Sequence, residues 1–466
     1  MTALDPAPDP ALEAYLEATA GVRLASYLEL LRIPSISTDP RHAADCRQAA
    51  DWLAARLLAV GMENVEVAET GGHPIVYADW LHAEGAPTVV AYGHYDVQPV
   101  DPLDEWTDPP FEPAVVDGRV LGRGASDDKG NVAIMLQAVE GLMATRGRLP
   151  VNLRFVLEGE EESASEHLEP WLVANRERLA GDLAIVSDVG FFEGNIPALT
   201  VGLRGLMYAQ IDVQGPFQDV HSGGYGGVVA NPANALASII AALKGPDGRV
   251  LIPGFYDDVA PLDEADRAAY AALPFDEEAF RASLGVPALV GEVGFSVLER
   301  KSGRPTLDVN GIWGGYQGEG GKTIIPGRAH AKVSCRLVAD QDPERVFARL
   351  RDHVLDIVPP GVQVEVRYIG GGSPSRTAID SPAVDAAAAA LGAIFGQTPV
   401  FIREGGSIPF VATFEQVLGL PVVLMGFVPP DGNFHAPNEW MDMRNFELGI
   451  RAMARYWDEL PAALAR

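Results

Sequence analysis

Apolar residues recur at three- and four-residue steps across Arg23–Ile33 and Ala43–Val60, the spacing of one helical face. Four short apolar runs follow further along: Thr88–Tyr92, Val151–Leu157, Leu183–Val186 and Val422–Met425. Unbroken apolar character over so few residues predicts strands buried on both faces. The helical patterns Asn131–Thr145 and Leu168–Leu179 fall between these runs and predict connecting helices. Strands alternating with helices predict an α/β fold, with a mostly parallel sheet covered on both faces.

The texture changes from about Gly202. Leu206–Val213, Ala329–Leu337 and Val362–Tyr368 alternate apolar with polar residues, which predicts half-exposed strands. Asn231–Leu243 and Pro343–Val354 read as helices, and the acidic, alanine-rich stretch Phe255–Leu284 as helical with prolines as punctuation. Beyond Gly370–Gly372 the pattern returns to helix (Ala383–Phe395) and then to the buried run at Val422. The chain is therefore expected to form a discontinuous first domain, 1–203 and 376–466, with a smaller α+β domain, 204–375, inserted into it. No internal repeat interrupts this plan.

Composition narrows the function. The length of 466 residues suits two domains, and 47% hydrophobic residues leave ample material for burial. A formal net charge of −29 disfavours nucleic acid and anionic membrane surfaces, both of which need clustered cations. The two cysteines, Cys46 and Cys335, lie far apart, so no disulfide framework is expected and a reducing, cytoplasmic setting is. The first residues lack the basic and apolar regions of a signal peptide, and no uncharged apolar run reaches membrane-spanning length.

The chemistry lies where the strands end. Each buried run leads into a polar loop: His94 and Asp96 after the first, Glu158 and Glu160–Glu162 after the second, Asp188 after the third, His435 after the fourth. A fifth loop, Gly122–Gly130, carries Asp127 and Asp128 just ahead of a helix. Ligands gather outside the carboxyl ends of strands in open parallel sheets, so five distant loops can share one crevice. Two histidines with several carboxylates suit divalent zinc, manganese or cobalt. Singly, His94 and His435 read as ordinary loop histidines, Asp127 as a helix cap, and Glu160–Glu162 as a solvated acidic loop. All of them at strand ends or a helix start, beside glycine and serine, is a pattern those readings do not explain together.

The segments GHYDVQPV (93–100), GRGASDDKG (122–130), EGEEES (158–163), SD (187–188), DVHSGGYGG (219–227), KTIIPG (322–327), REGGSIP (403–409) and NFHAPNE (433–439) resemble the M20 metallopeptidase family, especially its carnosinase-like dipeptidase branch. The resemblance covers nearly the whole chain in order. It implies a zinc-peptidase-like catalytic domain and an inserted lid domain that also forms a homodimer. It further implies two divalent ions, zinc first and manganese or cobalt as alternatives. His94 and Asp188 would ligate one ion, Glu162 and His435 the other, and Asp127 would bridge both. Glu161 would be the general base and Asp96 the support of His94. His221 would be an oxyanion donor reaching in from the second subunit. Arg336 and Thr323, with Ser407, Gly406 and Arg403, would bind the free carboxylate of a small peptide. The peptide bond after Asp127 is expected to be cis. Glu160 is an extra acid in its motif, so the base and ligand positions rest on counting from Gly159.

The activity expected is hydrolysis of the amide bond of dipeptides or small peptides. Deacylation of N-acyl amino acids and carboxypeptidase action would use the same ions and base. A metal-binding scaffold without turnover should have lost the base or a ligand, and every one is present. A two-metal phosphoesterase would need a phosphate cradle, which the sequence does not show.

Overall fold

The computed structural model describes residues 9–406 and 409–465. They form two compact units. One contains the chain up to Val201, Thr377–Ile402 and the chain from Thr413; the other contains Gly202–Arg376 and Arg403–Ala412. The stretch 403–412, expected with the first domain, thus groups with the second unit.

The first unit is built on a mixed, largely parallel sheet. Its strands run in the order Glu63–Ala68, Ile75–Trp80, Asn152–Glu158, Thr88–His94, Leu183–Val186, Val422–Leu424 and Ala198–Leu203. The four central strands are parallel, and the outer pairings are antiparallel. The central residues Val89, Val90, Ala91, Phe155, Ile185 and Val186 have no exposed surface, as their unbroken apolar character predicts. Helices Pro10–Leu31, Ala43–Ala59, Lys129–Arg146, Pro382–Phe395 and Met443–Leu464 supply the rest of one continuous core.

The first helix begins at Pro10, well before the predicted Arg23. The N-terminal prolines include a start signal: Asp9 accepts the N–H groups of Ala11 and Leu12, and Pro10 occupies the first turn, where a missing N–H costs nothing. The predicted helix from Leu168 ends at Ala174, and the remainder to Leu179 is turns.

The second unit is an antiparallel sheet in the order Thr306–Gly314, Arg328–Leu337, Gly205–Gln214 and Gln363–Gly372. Burial alternates strictly along Gly205–Gln214 and Arg328–Leu337, as the sequence alternation requires. Helices Pro232–Ala241 and Pro343–Asp356 cover the apolar face through Leu236, Ile239, Val346 and Leu350. The stretch predicted as helical from Phe255 to Leu284 is only partly so, with short helices at Glu264–Ala272 and Glu277–Ser283. Each has an aspartate cap, and Pro274 lies between them. Among the described residues, no helix is long and apolar enough to cross a membrane.

Candidate metal centre

The parallel strands of the first unit end side by side. His94 is the last residue of its strand, and its register partner Glu158 ends the neighbouring one. Asp188 lies two residues past Val186 in the next strand. A short 3-10 turn at Glu161–Ser163 follows Glu158 after Gly159 and Glu160, which keeps Glu161 and Glu162 near the strand ends. Asp127 precedes helix Lys129–Arg146, and the Asp127–Asp128 peptide is cis.

These side chains form two donor groups: His94, Asp127 and Asp188, and Asp127, Glu162 and His435. Within each, one ligand atom per residue lies within 4.8 Å of the others. Asp127 belongs to both through different oxygens. Its Oδ1 is 3.1 Å from His94 Nε2, and its Oδ2 is 3.0 Å from His435 Nε2. His94 Nε2 is 3.8 Å from Asp188 Oδ1, and His435 Nε2 is 3.2 Å from Glu162 Oε2.

Asp96, fully buried, holds the assembly from behind. One of its oxygens is 3.3 Å from His94 Nδ1, and its two oxygens accept the backbone N–H groups of Glu161 (3.2 Å) and Glu162 (3.0 Å). A single carboxylate thereby orients a histidine donor and fixes the turn that carries both glutamates. Glu160, the extra acid, points elsewhere: it accepts from the backbone of His73 and pairs with His167.

The charge balance matches a cation site. Burial pushes the carboxyl of Glu161 well above its usual pKa, and Asp188, Glu162 and Asp127 add to the shift. Burial likewise raises Glu162 and Asp188. Burial also opposes ionisation of Asp127, but hydrogen bonds from His435 and His94 outweigh it and hold the carboxyl down. Bonds to Asp127 and Glu162 push His435 up to about 10. Several buried carboxylates facing two imidazoles carry surplus negative charge, and hard or borderline dications relieve it. The donors therefore fit a pair of divalent ions.

In the second unit, His221 and Thr323 are neighbours. His221 pairs with Ile324 across a two-stranded ladder, and Ser222 N–H donates to the Thr323 carbonyl at 3.0 Å. His221 is exposed, and its Nδ1 accepts the N–H groups of Gly223 (2.9 Å) and Gly224 (3.2 Å). Arg336 sits on the half-exposed face of its strand, and burial lowers its pKa. Arg403 is engaged with Asp266 and lies over the Tyr270 ring. Gly406 is exposed in a bend, and Ser407 lies outside the described residues.

Sequence reasoning assigned no role to Asp128, Gln98, Arg123 or Glu439. Asp128 is buried, accepts the His94 backbone N–H and pairs with Asn131. Gln98 donates to Glu162 at 2.6 Å. All four residues stand inside or beside the quoted motifs, which is the only signal they left.

His94 at the end of a parallel strand, neighbouring carboxylates and one aspartate common to two donor groups are an arrangement that suits a metallohydrolase. Residues 90–459 match the model of peptidase family M20/M25/M40, so the chain belongs to that family and is a hydrolase of its metallodipeptidase kind. The Cys-Gly metallodipeptidase dug1 of Schizosaccharomyces pombe is 33% identical over 444 residues, spanning 92% of this chain and 93% of its own. The Beta-Ala-His dipeptidase of Homo sapiens is 31% identical over 437 residues, spanning 93% and 85%. The M20 family metallo-carboxypeptidase Sso-CP2 of Sulfolobus solfataricus has a similar structure, with a TM-score of 0.85 at 33% identity over 94% of this chain and 99% of that one.

Proposed function

We propose that the protein hydrolyses the amide bond of dipeptides or small peptides that carry a free C-terminal carboxylate. The observation that carries this reading is Asp127, whose two oxygens face two separate donor groups, with Glu161 on the same short turn as Glu162 of the second group. Two divalent ions, zinc first and manganese or cobalt on the same donors, would be held by these groups and supply Lewis acidity towards the scissile carbonyl and the attacking water.

The chain's own residues do the rest. Glu161 takes a proton from the attacking water and delivers it to the leaving nitrogen. Asp96 keeps the Glu161–Glu162 turn and His94 in one geometry. His221 is a suitable oxyanion donor. Its Nδ1 already accepts two backbone N–H groups, so the neutral ring carries its proton on Nε2. Arg336 and Thr323 recognise the substrate carboxylate, arginine by its bidentate fork, with Arg403, Gly406 and Ser407 as further contacts. The second unit acts as lid and homodimer contact. Two buried, free cysteines suit a reducing cytoplasm.

The test combines a variant with a substrate panel. Glu161→Gln should keep its metal content by elemental analysis and lose about 10²–10⁴-fold in kcat on dipeptides. Unchanged turnover would remove Glu161 from its role. Rapid hydrolysis of N-acyl amino acids with no dipeptide cleavage would replace the dipeptidase reading by the deacylase one, and release of single C-terminal residues from longer peptides would favour a carboxypeptidase.

A further inference from the structure

Glu439 belongs to neither donor group and has no exposed surface, yet its carboxylate accepts four hydrogen bonds. One oxygen takes the backbone N–H groups of Ser126 (2.9 Å) and Asp127 (3.0 Å). The other takes the Gly124 N–H (2.9 Å) and the Arg123 guanidinium (2.7 Å). The Glu439 carbonyl accepts the Gly122 N–H at 3.0 Å, and the Trp440 carbonyl accepts the Ser126 hydroxyl at 2.6 Å. Arg123 is itself fixed by a bond to the Pro99 carbonyl (3.1 Å) and by the Trp106 ring (5.2 Å).

These bonds clamp two segments together. Segment 122–127 carries Asp127. Segment 432–440 carries His435 and closes on itself through the Trp440 N–H and the Gly432 carbonyl, 3.0 Å apart. Asp127 has a further hold from its C-terminal side, because Asp128 accepts from His94 and Asn131 and starts helix Lys129–Arg146. His435 has no strand or helix of its own: its side chain is 55% exposed, and its loop is otherwise anchored by Asn438, bonded to Thr107 and Glu105, and by Trp440, paired with Leu121 in a short ladder. His94 and Asp188, by contrast, stand at sheet ends, and no hydrogen bond among the described residues joins either to Glu439.

We propose that Glu439, braced by Arg123, is a positioning residue that sets His435 against Asp127. It thereby governs the ion held by Asp127, Glu162 and His435 far more than the ion held by His94, Asp127 and Asp188. This rests on the two-ion reading given above. A glutamine here would turn one acceptor into a donor facing N–H groups, breaking the clamp without changing its size.

Zinc titration of the full metal-stripped chain against a competing chelator separates the possibilities. The wild type should bind two ions. Glu439→Gln should keep one site within about threefold and weaken the other by about 10–100-fold, the range for partners that orient metal ligands. Wild-type affinities at both sites in the variant, or equal weakening of both with native circular dichroism, would overturn the proposal. A wild type that binds fewer than two ions would sink the two-ion reading and this inference with it. Should Glu439→Gln fail to fold, Arg123→Lys carries the test. It leaves the three backbone donors in place and should show the same one-sided loss, smaller in size, and wild-type behaviour at both sites would count against the brace.

Discussion

Asp212 shows what a single carboxylate does on the open face of the second unit's sheet. It accepts from His330 (2.5 Å), Arg367 (2.9 Å) and Gln210 (2.8 Å), tying together three strands. Partial burial opposes its charge, but these donors win and hold the carboxyl below its ordinary 3.8. A depressed folded-state pKa contributes stability above the unfolded value and loses it as pH falls through the folded one. Asp212→Asn should therefore lower stability by about 1 kcal/mol at neutral pH, after discounting for solvent screening. The gap to wild type should begin to narrow below about pH 4 and go on narrowing as the pH falls. Urea midpoints at pH 7 and pH 3.5 check this, and a pH-independent gap would mean that shape, not charge, matters here. The same scale shows what a sequence reveals. The expectation that His94, Asp127, Asp188, Glu162 and His435 share one crevice came from residue types in polar loops, and their side chains fall into two donor groups. Glu439 was not legible, since a carboxylate that binds backbone N–H groups looks in one dimension like any solvated acid.

Among the elements, helix Lys129–Arg146 is the most constrained, because it starts where the ligand loop ends. An added methyl at Gly130 would stand 2.2 Å from the Ala125 carbonyl, a backbone atom that cannot swing aside. Gly130→Ala should cost about 1–3 kcal/mol, the usual penalty of overpacking. It should also loosen zinc binding, because relief requires shifting residues 125–130. A melting temperature and zinc affinity both equal to wild type would show that the loop moves freely. At this scale the buried parallel strands and the alternating strands were plain from periodicity. The early helix start at Pro10 and the irregular 255–263 stretch were not. Prolines read as breaks unless a cap precedes them, and alanine-rich composition alone cannot place helix ends.

For the molecule as a whole, every residue of the two donor groups belongs to the first unit. Stripping the ions with a chelator should leave its buried carboxylates uncompensated and raise amide exchange in Thr88–His94 and Lys129–Arg146. The strands Gly205–Gln214 and Arg328–Leu337, which contribute no ligand, should exchange as before. Equal loosening of both units, or none in the first, would contradict this. The expectation of an inserted domain at 204–375 rested on the switch from mainly apolar to alternating runs. The grouping of 403–412 with the second unit was not legible, because its short, glycine-bearing sequence carries no periodicity.

One spacing has a bearing on how the protein is made. The ligands run from position 94 to position 435, and the last strand of the parallel series begins only at Val422. A nascent chain emerging from the ribosome can hold no complete pair of donor groups until residue 435 has been synthesised. Capture of an ion by Asp127, Glu162 and His435 would thus come late in synthesis, whereas His94, Asp127 and Asp188 all lie within the first 188 residues.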